Sequence, residues 1–364
     1  PPYRLMMIIF KIWWSQVRKR WVVLGIALLL SLLTSIVFHL PDATQRYMYQ
    51  RWQESASLVD VVIGYKGAPT QIVASALYRM ENPTGNLPVE SAEFWGKHPL
   101  VKEVCPISLG DNIGGIPVVG VEANYFDWFG IHFEQGNRPL NPNEIAVSAA
   151  LAAQHNYVLG ATVHTAHGSD SRGDAHAHHD LFISGIFNAD RTADEQSYFV
   201  SNAAYSGMHN SGNKDFTSLL MKLKSKSGLL MLPGVISKRT NEQGAFPVFI
   251  FGQLQKQWQP TLDRARLYGK LLSIFVALLF VAFLYFIGMT EKSTVQLLRV
   301  KGIKYNNAFL ATHGLYLFAG LVGLIGGISL FITLGLPLSL EQAAVGLIPL
   351  ALSAILLYVK MNKK

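Results

Sequence analysis

A chain of 364 residues with one cysteine, Cys105, cannot be held together by an internal disulfide in any compartment. That thiol reads as a small buried hydrophobe. Charge is scarce as well: charged residues make up 15% of the chain and hydrophobic ones 50%, an apolar balance for a soluble protein of this length. No G-x-x-x-x-G-K-[ST] occurs, so the chain has no P-loop with which to cradle nucleotide phosphates. No H-E-x-x-H occurs either, which removes the helical zinc-hydrolase signature. The net charge of +8 is confined to particular places and is not laid along a basic stripe interleaved with aromatics, which excludes nucleic acid as a partner.

The basic residues flank apolar blocks. Arg4, Lys11, Arg18, Lys19 and Arg20 precede the first block, Lys292, Arg299, Lys301 and Lys304 lie between two later ones, and Lys360, Lys363 and Lys364 follow the last. About 20 apolar residues suffice to cross about 30 Å of hydrocarbon. By that measure 21–40, 267–289, 308–334 and 342–359 read as four transmembrane helices. A cleaved signal peptide competes for the first, but its apolar run is long and no small-x-small cleavage site follows it. Ahead of it, Leu5, Ile8, Ile9, Ile12, Trp13 and Val17 recur at helical spacing, so 1–20 is expected to be an amphipathic helix in the cytoplasmic interface of the lipid bilayer. Lys and Arg mark cytoplasmic flanks, which places the N-terminus, the 290–307 loop and the 360–364 tail inside. The expected fold class is therefore a membrane protein with four transmembrane α-helices and a large extracytoplasmic α+β domain, 41–266. In the third span, Ala319, Gly320, Gly323 and Gly327 leave one helix face nearly bare, ready for close packing within the bundle or against another subunit.

The middle of the chain mixes short alternating strands with helical stretches, and 251–266 reads as a helix continuing into the second span. Its most unusual stretch, HTAHGSDSRGDAHAHHD, holds five of the eleven histidines. His164, His167, His176, His178, His179 and Asp180 form a candidate metal set suited to Zn²⁺, and a solvated hairpin tip is the alternative. Asp190, Asp194 and Glu195, in FNADRTADEQ, read as solvated loop acids.

Three stretches carry a family resemblance. They are DVVIGYKGAPTQIVASALYRMENPTGN from Asp60, VGVEANYFDWFGIHFEQGNRPLNPNEIAVS from Val119, and GMTEKSTVQLLRVKGIKYNNAFLATHGLYLFAGLVGLIGG from Gly288. With the order of spans and domain, they resemble the FtsX/MacB-like permeases of ABC transporters, the type VII class. The resemblance implies that 41–266 is a MacB-like periplasmic core domain and that the chain sits in a bacterial inner membrane. It implies a homodimer working with two copies of a cytoplasmic ATPase subunit that binds ATP and Mg²⁺, and it leaves room for a periplasmic accessory or substrate-binding protein. The chain itself would be no enzyme and would bind no cofactor for catalysis. It would couple ATP hydrolysis to motion of the periplasmic domain, in export, extraction or mechanotransmission. The 290–307 loop becomes the coupling element, with Glu291, Lys292, Val295, Leu298, Arg299, Lys301 and Gly302 as its candidate residues and Leu297 beside them. A loop that only obeys the charge rule is the alternative. Metal handling or sensing through 164–180 is the competing function.

Overall fold

The structure, a computed structural model, describes residues 2–163, 166–167, 180–189, 192–208, 215–239, 241–338 and 347–362. The chain divides into two compact units: Pro1–Met48 with Trp258–Lys364, and Tyr49–Gln257.

The second unit is built on a mixed sheet. Its strands are β1 (Val61–Tyr65), β2 (Val101–Ile113), β3 (Ile116–Val121), β4 (His132–Gly136), β5 (Glu144–Ser148), β6 (Thr162–Val163), β7 (Ala166–His167), β8 (Leu181–Asn188), β9 (Tyr198–Ser201), β10 (Ser218–Leu223) and β11 (Glu242–Ala245). They run in the order β11-β1-β10-β2-β3-β9-β5-β8-β4, with β6 beside β8 and β7 beside β2. The β3–β9 and β5–β8 pairs are parallel and their neighbours antiparallel. Between β2 and β3 the register places Ile113 opposite Ile116, so Gly114 and Gly115 alone make the turn, both with positive φ. A two-residue hairpin loop whose twist suits the flanking strands needs that conformation twice, and Asn112 Oδ1 accepts from Gly115 N to hold it.

Helices cover both faces. The α2 helix (Pro69–Tyr78) begins on Pro69 and lies against β1, where a Cβ on Gly64 would stand 2.9 Å from Ile72. Val61, Ile63, Leu219 and Met221 pack with Trp95 of α3 (Val89–Gly96) and with Leu232 and Ile236 of α8 (Leu232–Arg239). Val118, Ile145, Val147, Ile183 and Val200 form a second core with Leu151 of α5 (Ala149–His155) and Tyr205 of α7 (Asn202–Met208). The α5 helix starts at Ser148, whose hydroxyl accepts from Leu151 N. Cys105 is fully buried, and desolvation pushes its thiol far up, so it behaves as a core residue.

The stretch from Val119 folds into an aromatic cluster. Tyr125 and Phe126 of α4 (Asn124–Trp128) stack within 5.3 and 5.7 Å of Phe199, and Phe187 closes on the same ring at 5.3 Å. Tyr125 donates to Asp194 Oδ1 at 2.7 Å and accepts from Arg79 Nη2 at 3.0 Å. Asp194, in α6 (Thr192–Glu195), is wholly buried, and Glu195 is half-buried. The expectation that both are solvated loop acids is corrected: a carboxylate in a polar stretch is drawn inside when a guanidinium and a phenol meet it there. Asp190 lies outside the described residues. Beyond the cluster, Gly136 has φ +70, and Arg138 forks on Asp127, Nη2 to Oδ1 at 2.5 Å and Nη1 to Oδ2 at 3.1 Å.

The first unit is helical. The α1 helix spans Pro2–Ser57, interrupted at Arg20 (φ −132, ψ 30), and α9 spans Pro247–Thr290. After them come α10 (Lys292–Val300), α11 (Tyr305–Thr333) and a shorter apolar helix, α12 (Ile348–Asn362). Among the described residues, three helices, those of α1, α9 and α11, are long and apolar enough to cross a membrane. Residues 342–346 of the expected fourth span lie outside the described ones. Neither α1 nor α9 stops where its apolar run stops, and the compact domain is correspondingly narrower than 41–266. Hydropathy marks the edge of hydrocarbon, whereas a helix ends only where its backbone bonds end.

The small-residue stripe of α11 is occupied within the chain. A Cβ on Gly323 would fall closer than 3.0 Å to Ser31 Oγ and Leu28 O, and one on Gly327 would fall as close to Ser35. Gly320 meets Phe280 and Leu350, and half-buried Ala319 packs on the same core. Ser35 Oγ donates to Leu324 O at 3.2 Å across the α1–α11 contact. At the other end of the span, Arg266 pairs with Asp42 at 2.6 Å.

Two measurements test these contacts. Gly323→Leu is expected to cost about 3 kcal/mol, at the upper end for overpacking, because the Leu28 carbonyl as well as the Ser31 hydroxyl blocks the added carbons and backbone cannot swing aside; an unchanged melting temperature in detergent would overturn the α1–α11 packing. Arg138 holds the Asp127 carboxyl below its ordinary 3.8 by hydrogen bond and charge. A depressed folded value means that the pair adds stability above that pH and loses it as pH falls through the lower folded midpoint. Carboxyl NMR titration should return Asp127 to the ordinary range in Arg138→Gln.

Candidate functional site

The 290–307 loop folds as one short helix between two breaks. The α9 helix ends at Thr290, Glu291 (φ −89, ψ 0) turns the chain, and α10 follows. At its far end, Gly302 takes φ +82, Gly302 N donates to Arg299 O at 2.9 Å, and Ile303 N to Leu298 O at 3.1 Å. These two bonds form a Schellman cap, which needs a left-handed residue where Gly302 stands. Lys304 then leads into α11, and Tyr305 Oη donates to Tyr358 O at 2.8 Å, fastening the end of α12.

The helix has two apolar faces. Val295 and Leu298 are 2% and 8% exposed and belong to the core of the bundle, together with Phe280, Leu284, Ala308 and Tyr316. Of the candidate coupling residues these two therefore face inward, into the bundle core. Glu291 faces inward as well: its carboxylate is buried and paired with Arg20 Nη1 at 2.5 Å. What faces outward is Lys292, Gln296, Leu297, Arg299, Val300 and Lys301, with Val300 86% exposed and Leu297 55%. The guanidinium of Arg299 stands 5.7 Å from the centre of the Tyr305 ring. Two exposed aliphatic side chains ringed by cations, with the one nearby acid turned inward, form a surface suited to an apolar groove with an acidic rim.

The segment before Arg20 is fastened to the same place. Gln16 Nε2 donates to Thr312 O at 2.7 Å, Trp13 Nε1 to Leu310 O at 3.3 Å, and Arg20 Nη1 to Thr290 Oγ1 at 3.4 Å. Sequence reasoning assigned Arg20 to the charge pattern at the membrane edge and overlooked its pairing. The signal was available in Glu291, the single acid beside four bases at the end of an apolar run.

Of the candidate metal set, His164, His176, His178 and His179 lie outside the described residues, and His167 contributes only its place in β7, opposite Asp111. Asp180 is exposed. Among the described residues no group of three metal-ligating side chains gathers.

A helical unit with three helices long and apolar enough to cross a membrane, and a mixed α+β unit inserted in the chain after the first of them, is the layout of a membrane-anchored domain protein. The family model described as "MacB-like periplasmic core domain" matches residues 22–229, more than half of the chain, and the chain belongs to that family, as an FtsX/MacB-like permease of the type VII ABC transporter class. Among solved structures, it is similar to the periplasmic region of MacB from Actinobacillus actinomycetemcomitans, at 13% identity and TM-score 0.36, over 56% of this chain and 96% of that one. It is also similar to the extracellular domain of the noncanonic ABC-type transporter YknZ from Gram-positive bacteria, at 12% identity and TM-score 0.32, over 48% and 88%. No curated protein matches the chain.

The Schellman cap gives a direct test of how α10 is set. Gly302→Ala forces a Cβ into a left-handed backbone and is expected to cost about 1–2 kcal/mol, read as a lower melting temperature. Gly302→Asn, which tolerates that conformation, should recover most of the loss.

Proposed function

We propose that the chain is the permease subunit of an ABC transporter and couples ATP hydrolysis by a cytoplasmic partner ATPase to motion of its periplasmic domain. The work done is export, extraction or mechanotransmission. The observation that carries this reading is the outward face of α10, where Leu297 and Val300 stand exposed among Lys292, Arg299 and Lys301 on a helix pinned by its opposite face. Family membership supports an ATPase as the occupant of that face. The arrangement we propose has four crossings, with the N-terminus, the 290–307 loop and the C-terminal tail in the cytoplasm of a cell with an inner membrane. Two copies of the chain would work with two ATPase subunits, and a periplasmic accessory protein would join them on the far side.

Mechanical relay is favoured over a hydrophilic path through the helices. Segments 21–40, 267–289 and 308–334 carry only His39, Lys270 and His313 as charged or imidazole side chains, and Lys270 is exposed near a span end. Three groups so placed make no chain of ionisable partners across the bilayer.

Copurification tests the reading. The wild-type chain in mild detergent should retain a nucleotide-hydrolysing subunit, and Val300→Glu or Leu297→Asp should lower its recovery at least tenfold. Both positions are exposed, so the melting temperature should hold steady. Wild-type chain that emerges alone, or variants that retain the ATPase in full, would overturn the proposal.

A further inference from the structure

Two helix breaks meet at the inner end of the bundle. One is Arg20, the non-helical residue inside α1, and the other is Glu291, between α9 and α10. Their side chains pair at 2.5 Å, and Arg20 also donates to Thr290 at the last residue of α9. We infer that Arg20 and Glu291 join these breaks into one elbow, so that displacement of α10 is passed to the N-terminal helix, residues 2–19. The inference rests on α10 being the ATPase-docking element proposed above.

The physical case is a contrast of stiffnesses. The Glu291 side chain is 6% exposed, and the other cations of its loop, Lys292, Arg299, Lys301 and Lys304, are exposed on the outer face. A buried carboxylate that leaves its counter-charge is left unpaired in a medium that solvates it poorly, so the pair resists opening. The backbone at both partners is the soft part. Arg20 leaves helical φ and ψ (−132, 30), and Glu291, at φ −89 and ψ 0, is held by the short bonds of its turn, its N to Gly288 O and Val295 N to its carbonyl, both at 3.1 Å, so torsions change here at less cost than inside either long helix. A push on α10 is thus taken up by rotation at Glu291, and the closed pair draws Arg20 along.

The segment that receives the motion moves as a body. Residues 9, 12, 13 and 16 face inward, with Ile9 and Ile12 against the bundle core and Trp13 and Gln16 bonded to the start of α11. The opposite side exposes Met6, Met7, Phe10, Trp14 and Val17. That exposed side suits the interfacial layer of the inner leaflet, where aromatic rings lodge. Sliding of this helix along the interface gives up the Trp13 and Gln16 side-chain bonds to α11 but no bond of its own backbone ladder, which makes it the path of lower resistance for movement begun at α10.

The test uses the full chain with its copurified ATPase in lipid nanodiscs. Cys105→Ser removes the native thiol, and spin labels go on Lys11→Cys, in the N-terminal helix, and Leu330→Cys, on the exposed side of α11. Pulsed electron paramagnetic resonance then reads the distance between them with and without nucleotide. The wild-type pair should shift on nucleotide addition, Glu291→Gln should lose at least half of that shift while retaining the ATPase, and Arg20→Glu with Glu291→Arg should restore it. Arg20→Gln, which removes the partly exposed partner and breaks the same pair, serves where Glu291→Gln lowers the yield. A purely structural pair would lower the melting temperature and leave the shift intact, which overturns the inference. A wild-type complex that binds and hydrolyses nucleotide with no shift overturns it too. Absence of any ATPase from the wild-type preparation instead brings down the docking reading, and this inference with it.

Discussion

Hydrocarbon offers no hydrogen-bond partner, so every backbone amide that enters it has to be satisfied by the chain itself. That constraint sets the helical unit. It accounts for α1, α9 and α11 running as long helices and for the placement of breaks at Arg20, Glu291 and Gly302, at the margins of apolar blocks where water or a charged partner is at hand. It also accounts for hydroxyls inside the spans folding back on their own helices, Ser31 to Leu28 O, Thr34 to Leu30 O and Thr312 to Ala308 O. With the polar groups met locally, helices adhere through close packing, and the bare backbone at Gly323 and Gly327 lets α1 approach where a larger side chain would hold it off.

In the second unit the binding constraint is that strands from distant parts of the chain share one sheet. Two of its pairs are parallel, and a parallel pair needs a long connection to bring the chain back to the same end. The intervening segments supply α4 and α5, which are among the helices that pack on the sheet. Tyr125, Phe126, Phe187 and Phe199 bury large ring areas in one place, and the Arg79–Tyr125–Asp194 chain ties α2 and α6 to that cluster. A buried guanidinium and carboxylate bridged by a phenol stabilise only while all three remain, so the trio fixes orientation more than it adds net stability.

That 21–40, 267–289 and 308–334 fall in long apolar helices was legible because a membrane-crossing segment is announced by length and lack of charge together, and chance rarely supplies both. The α+β character of the domain was legible from alternation, as in Ile145–Ser148, which lies in β5. Helix ends were legible only in part: 251–266 runs into the second span within α9 as expected, but α1 runs on to Ser57 through Pro41, in polar sequence that hydropathy reads as outside. Burial of individual polar groups was not legible either. Asp194 and Glu291 look like surface acids until the fold brings Arg79 and Arg20 beside them from more than a hundred residues away. Such pairings are long-range, and no local pattern encodes them.

The α10 helix shows the same limit from the apolar side, and here it bears on the proposed docking. Nine residues make about two and a half turns, enough for two narrow apolar stripes but too few for one stripe to serve two surfaces. Val295 and Leu298, three apart, take the inward stripe, and Leu297 and Val300, also three apart, take the outward one. A loop that merely obeyed the charge rule would have no need of the outward stripe, because cations alone fulfil that rule and an exposed valine and leucine cost solubility. Their presence on a helix capped at Gly302 and packed through Val295 is what the proposed docking element requires, since a contact that must transmit force has to move as one body along its own length.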